Sequence, residues 1–340
     1  MVTATRDQER MDRALELARA VRAVTPPNPW VGCVIEAADG RVFEGATAAA
    51  GGPHAEAAAL AAAGDHNLAG AQAWVTLEPC SHHGRTPPCA DALIRAGISR
   101  VVVAVEDPDP VVAGRGLARL RDAGIDVEVG VRAVEAGASL APYLHQRRTG
   151  RPYVVLKLAA SLDGRTAAPD GTSQWITGAE ARADAHALRA ESDAILVGAG
   201  TVRADDPSLT VRDAPAPRGD PERIVLGEAP PNAKVRPCLE HCGDVAELLD
   251  ELGAKGHLQL LVEGGASVAH DLHQRGLVDR YVLYLAPALF GGDDARGLFA
   301  GSGAPTVDDV WRGRIVAVTR LGDDLRIDLD KGAGRSPGED

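Results

Sequence analysis

Short runs rich in Val, Ile and Leu alternate along this 340-residue chain with longer, alanine-rich helical stretches, and that alternation dictates sheets covered by helices. Aromatic side chains make up only 3% of residues, so Val, Leu, Ile and Ala must fill the cores. Apolar residues at helical spacing over 7–24 predict a first helix that Thr25-Pro26-Pro27-Asn28-Pro29 stops. Residues 31–37 and 41–45 flank Asp39-Gly40 and read as a hairpin. Helices at 54–63, 89–96 and 114–123 then alternate with strands at 73–77, 100–105 and 125–130. The polar stretch H-Q-R-R-T-G-R-P within 143–152 marks a boundary. Beyond it strands are expected at 153–160, 194–198, 223–226, 258–262 and 280–285, and helices at 179–190, 245–254 and 266–276. Residues 213–236 read as surface connections and 331–340 as a polar tail. The expectation is two α/β domains, 1–146 and 150–332.

Charge narrows the function classes. Lys plus Arg number 36 against 48 acidic residues, a net charge of −12 that repels phosphate backbones and disfavours a general nucleic-acid binder. The first residues lack an apolar targeting segment, and nowhere do about 18 apolar residues run together. A cytoplasmic protein without membrane association is expected. Five cysteines, an odd number, make a disulfide framework a poor reading and favour metal ligation or free thiols.

Three of those residue types fall into a pattern with chemistry. G-G-P-H-A-E places His54 and Glu56 at the start of the 54–63 helix, and T-L-E-P-C-S-H-H-G-R-T-P-P-C places Cys80 and Cys89 around a strand-to-helix loop. One imidazole and two thiolates suit catalytic zinc, which keeps its fourth position for water and lowers that water's pKa towards about 7. Glu56, two residues past His54, suits proton transfer to a departing amine rather than ligation. A closed structural site with His82 or His83 as fourth ligand is the alternative. Cys33 reads as core, and no metal is expected at Cys238 and Cys242 despite His241 and His257 nearby. In the second half, a strand running into Glu263-Gly264-Gly265 and a helix offers backbone amides to a phosphate, while Gly198-Ala199-Gly200 lacks the full G-x-G-x-x-G pattern.

Together P-N-P-W-V-G-C-V-I, H-A-E, the T-L-E-P-C loop and V-E-D-P-D-P-V-V-A-G-R-G resemble the bifunctional riboflavin-biosynthesis deaminase/reductase family. K-L-A-A-S-L-D-G-R-T, S-Q-W-I-T and L-Q-L-L-V-E-G-G-A-S-V-A-H-D-L extend the resemblance over nearly the whole chain. It implies a cytidine-deaminase-like three-layer domain followed by a dihydrofolate-reductase-like α/β domain, using Zn2+ and NADPH. It implies that His54, Cys80 and Cys89 hold zinc, that Glu56 moves protons, and that Asn28, His82 and Arg85 contact the substrate. It places Ala159, Trp175, Thr201, Asp205 and the run Gly265, Ala266, Ser267, Val268, Ala269, His270 and Asp271 on the dinucleotide. Ser173, Arg189, Leu209, Arg212 and Glu263 fall to the sugar phosphate. By pattern alone, Arg189 on its amphipathic helix reads instead as a solvated surface charge. Where the family often has a His after the second strand, this chain has Thr47. The expected activity is hydrolytic deamination of a phosphorylated diaminopyrimidine followed by NADPH reduction of its ribosyl chain, in a homo-oligomer. The alternatives are a reductase with an impaired deaminase, a deaminase of another nucleobase, and a zinc-stabilised binding protein.

Overall fold

In the computed structural model, which describes residues 5–81 and 87–331, helix α1 (Arg6–Ala20) buries Met11, Ala14, Leu15 and Ala18 along one stripe. Thr5 and Gln8 close a reciprocal cap at its start. The helix stops short of the expected residue 24, because Val21 begins the run of turns that leads to Pro26 and Pro27. Strands β1 (Gly32–Glu36) and β2 (Val42–Ala46) pair antiparallel as the expected hairpin. Then follow α2 (Ala55–Ala63), β3 (Gln72–Val75), α3 (Cys89–Arg95), β4 (Arg100–Val103), α4 (Arg115–Asp122), β5 (Asp126–Val129), α5 (Ala133–Ser139) and α6 (Ala141–Thr149). The sheet order is β2-β1-β3-β4-β5, parallel from β3 onward. Val34, Trp74 and Val102 point to the α1 and α5 side, while the neighbouring Cys33 faces Glu56 of α2 on the other, giving three layers. Alanines let α2 lie close to the sheet. A Cβ on Gly45 of β2 would sit 2.3 Å from the Ala55 carbonyl oxygen, so only glycine permits that approach.

The polar stretch that marks the boundary is helical in its first part: α6 runs to Thr149 and ends on Gly150 in the left-handed region. There the chain divides into two compact units, Met1–Gly150 and Arg151–Asp340.

The second unit contains β6 (Tyr153–Ser161), β7 (Arg165–Ala167), α7 (Ala179–Glu191), β8 (Ala194–Gly198), α8 (Ala199–Asp205), β9 (Glu222–Leu226), β10 (Leu239–His241), α9 (Val245–Ala254), β11 (Gln259–Val262), α10 (Ala266–Gln274), β12 (Arg280–Ala286), β13 (Arg296–Gly297), β14 (Gly313–Leu321) and β15 (Asp324–Lys331). Eight strands form one sheet in the order β10-β9-β8-β11-β6-β12-β15-β14, and β13 pairs with β7 apart from it. The strands from β10 to β12 are parallel, and β15 and β14 close the sheet antiparallel. On α9, Val245, Leu248, Leu249 and Leu252 make the i, i+3, i+4, i+7 stripe that packs with α10 on Leu156, Leu196 and Leu260. The closing β14–β15 hairpin and α8 are elements that the sequence expectation lacks. Among the described residues, no helix is long and apolar enough to cross a membrane.

Candidate active sites

Helix α2 starts at a sharp entry, with His54 as its N-cap in extended geometry, and this sets the imidazole at the helix mouth and Glu56 on the buried face. Cys80 follows β3 and Cys89 opens α3. His54 Nδ1 lies 3.6 Å from Cys80 Sγ and 3.5 Å from Cys89 Sγ, and the three donor atoms fall within 4.8 Å of one another. Tetrahedral zinc, with Zn–N of about 2.0 Å and Zn–S of about 2.3 Å, sets nitrogen and sulfur roughly 3.5 Å apart, so the donor set fits the ion. The Cys89 N–H donates to Cys80 Sγ at 3.4 Å, and the Ala90 N–H to the Cys80 carbonyl at 3.1 Å. Hydrogen bonding from the Cys89 thiol, and then from His54, drives the Cys80 thiol down to about 4, while the same Cys80 contact pushes Cys89 up. A metal held here would bind both sulfurs as thiolates and release their protons. Burial, and then the charge of Cys80, push the Glu56 carboxyl up to about 7.

Other first-unit expectations divide. Asn28 is half-buried in the turn whose N–H bonds the Thr25 carbonyl at 3.0 Å. Thr47 is buried, and its hydroxyl oxygen accepts from the Val31 N–H at 3.2 Å. His82, His83 and Arg85 lie outside the described residues. Cys33 is core, as expected. His257 pairs with Glu222, and His241 Nε2 sits 3.0 Å from the Asp244 carbonyl oxygen; among the described residues, His54, Cys80 and Cys89 form the one group with metal-ligand spacing.

In the second unit, the C-terminal ends of the neighbouring parallel strands β8, β11 and β6 bring Thr201, Gly265 and Ala159 to one sheet edge, where open α/β sheets take their ligands. A Cβ on Gly265 would come within 3.0 Å of Thr201 Oγ1, so these two expected cofactor residues are side by side. Gly265 caps α10 without a side-chain bond, leaving first-turn N–H groups for a phosphate, which suits a dinucleotide. Within α10, Ala269 is buried while Ser267 and Asp271 are exposed. Asp205 is exposed at the end of α8. Trp175 is 68% exposed beneath the Arg182 guanidinium, 4.8 Å from its ring centroid, and Ser173 is half-buried.

The structure corrects the pattern reading of Arg189. Its side chain is 13% exposed and grips Glu263, itself 11% exposed, with two bonds of 2.6 and 2.9 Å, while a third reaches the Thr210 carbonyl at 3.0 Å. An amphipathic stripe identifies which face of α7 is apolar, but not that the residue following β11, 74 positions later, brings a carboxylate opposite its polar edge. Burial acts to raise the Glu263 carboxyl, yet Lys157, 3.9 Å away, and Arg189 hold it down at about 2. Leu209 is buried in left-handed geometry (φ 53°), a conformation that costs roughly 1–3 kcal/mol and that turns the chain so Thr210 faces Arg189. Arg212 donates to Ser208 and Thr210 hydroxyls at 2.8 and 3.0 Å. Sequence reasoning missed Glu78, two residues from Cys80 inside the quoted T-L-E-P-C motif.

Two family models match the chain: the RibD C-terminal domain over residues 152–327 and the cytidine and deoxycytidylate deaminase zinc-binding region over residues 4–105. Riboflavin biosynthesis protein RibD of Escherichia coli K12 is 44% identical, covering 95% of this chain and 99% of that protein. The chain belongs to the RibD family. RibD of Mycobacterium tuberculosis H37Rv is 42% identical over 94% of this chain and 96% of its own length. The solved structure of Acinetobacter baumannii RibD, form 1, superposes with a TM-score of 0.86 at 39% identity, covering 95% of this chain and 98% of that one. A Thermotoga maritima structure, described as a diaminohydroxyphosphoribosylaminopyrimidine deaminase/5-amino-6-(5-phosphoribosylamino)uracil reductase, gives 0.84 at 32% identity, covering 96% and 98%. The chain is accordingly a bifunctional deaminase and reductase of riboflavin biosynthesis, with zinc and NADPH as its cofactors.

Proposed function

We propose that this RibD chain removes the 2-amino group of 2,5-diamino-6-(5-phosphoribosylamino)pyrimidin-4(3H)-one by hydrolysis and then reduces the ribosyl chain with NADPH to give 5-amino-6-(5-phosphoribitylamino)uracil. The observation that carries the reading is the convergence of His54 Nδ1, Cys80 Sγ and Cys89 Sγ beside the buried Glu56. Residues 1–146 form the deaminase domain and 150–332 the reductase domain. Zinc held by these three ligands supplies Lewis-acid activation of water at neutral pH. Glu56 takes the proton of the attacking water and returns it to the departing ammonia, from its buried place on α2 beside the three donor atoms. Asn28, His82 and Arg85 bind the pyrimidine and its phosphate. In the second domain Ala159, Trp175, Thr201, Asp205 and residues 265–271 hold NADPH, which supplies the hydride. Ser173, Leu209, Arg212 and the Arg189–Glu263 pair orient the sugar phosphate. Thiolate ligation requires reduced cysteines, which favours a cytoplasmic setting.

Mass spectrometry of the products tests this reading. Without NADPH the zinc-loaded chain should exchange one substrate amino group for oxygen; with NADPH the product should also gain two hydrogens. Reduction of a supplied deaminated substrate without any deamination would instead leave a reductase with an impaired first domain.

We further propose that a second copy of the chain covers β14. This nine-residue edge strand exposes Ile315 and Val318 at 58% each, with Val316 and Trp311 beside them. A long apolar edge invites pairing, and a two-fold partner satisfies it with the same strand. Sedimentation equilibrium should give a multiple of the chain mass, and Val318→Lys should reduce it to a single chain. A wild-type protein that sediments as one chain would remove the proposal.

A further inference from the structure

Glu78 is buried, yet among the described residues no Lys or Arg pairs with it. Four backbone N–H groups meet its carboxylate instead. Oε1 accepts from Gly116 at 2.8 Å and Leu117 at 3.3 Å, and Oε2 accepts from Gly114 at 3.0 Å and Asp107 at 3.2 Å. Three of these donors belong to the start of α4, whose own N-cap, Gly114, has no side chain to offer. A carboxylate from a distant segment therefore satisfies that helix's orphan amides and sits at the positive end of its dipole. The fit depends on Gly116: a Cβ there would lie 1.9 Å from the Pro79 carbonyl oxygen.

The consequence reaches the metal ligands. Pro79 alone separates Glu78 from Cys80, and its ring fixes φ, so few soft torsions intervene between the anchored residue and the thiol. The Glu78 N–H is also held, at 3.0 Å, by the Val105 carbonyl. We infer that Glu78 is a positioning residue of the zinc centre, locking the Cys80 thiol by clamping its loop onto the start of α4. The inference rests on Cys80 being a zinc ligand. Glu78 touches neither metal nor substrate; it acts through Cys80.

Zinc affinity of the full-length chain, measured by competition with a chromophoric chelator, tests it. Glu78→Gln keeps the shape but turns an amide NH2 towards two of the four donors, and should weaken zinc binding by about 10- to 100-fold, the usual effect of losing an outer partner of a ligand. Leu120→Ala is the control: it opens a cavity under α4, destabilising the same unit without touching the clamp. It should leave zinc affinity near wild type. With cobalt in place of zinc, the thiolate-to-metal absorption band should shift in Glu78→Gln and stay put in Leu120→Ala. If Glu78→Gln binds zinc as tightly as wild type, or if Leu120→Ala at matched loss of Tm weakens zinc equally, Glu78 is structural only. Should Glu78→Gln leave the first unit unfolded, Glu78→Asp, which retains both oxygens one methylene short, is judged by the same comparison. A wild-type chain that binds no zinc would overturn the ligand assignment itself, a different result from a tight-binding Glu78→Gln.

Discussion

Glu56→Gln should lower the deamination rate by roughly 10²- to 10⁴-fold, the contribution typical of a positioned proton carrier, while zinc content and NADPH-dependent reduction hold at wild-type levels. The carboxamide has the size of the carboxylate it replaces and can neither take nor return a proton. Glu56 lies on the buried face of α2, where burial and the Cys80 thiolate raise its carboxyl to about 7. Steady-state deamination alongside metal analysis decides the matter: wild-type turnover with zinc bound would mean the proton travels by another route. Reduction serves as the internal standard, since its proposed residues all lie in the second unit.

Arg189→Ala should destabilise the second unit by about 3–5 kcal/mol, because the deletion strands the nearly buried Glu263 carboxylate with Lys157, 3.9 Å away, and His186 to face it. For a unit of this size that corresponds to roughly 6–20 °C in Tm, readable by calorimetry, with reduction lost and deamination kept. Adding Glu263→Gln to Arg189→Ala should restore part of the stability, since the double variant buries no unpaired charge. Equal losses in single and double variants would show that the pair's charge is not what matters. The same pair gives a pH signature. Glu263 is held at about 2 in the folded chain against an unfolded value of about 4.3, so its contribution is complete above the unfolded value and disappears as pH falls through the folded one.

How legible each site was follows from how its residues lie along the chain. The proposed zinc ligands come in two contiguous motifs, on one strand-to-helix loop and one helix start, so spacing points to His54, Cys80 and Cys89, whose donor atoms lie within 4.8 Å of one another. Glu78 stood inside one of those motifs, but its partners are main-chain amides at 107–117, which no residue type announces. Arg189 failed as a surface charge because helical periodicity reports the apolar face and says nothing of what meets the polar edge. The strand–helix alternation gave both sheets in outline. The closing hairpin escaped although D-L-R-I-D-L-D-K alternates strictly and Gly322-Asp323 is a two-residue loop; the charges at every second position hide it from a reading based on apolar runs. The segment ending in H-Q-R-R-T-G-R-P was legible as a boundary but not as helix α6, since its polar residues outnumber the anchors Tyr143 and Leu144 that bury that helix.

The strand order has a bearing on synthesis. The three residues proposed to hold zinc lie between His54 and Cys89, and the sheet beneath them is complete once β5 has left the ribosome, so the first centre can assemble while the second unit is still being translated. The second centre has no such head start. Its strand β6 emerges first in that unit but pairs with β11 and β12, which are made more than a hundred residues later. Until then the apolar β6 waits with both edges open, and the nascent reductase half is the stretch of this chain most in need of protection from its neighbours.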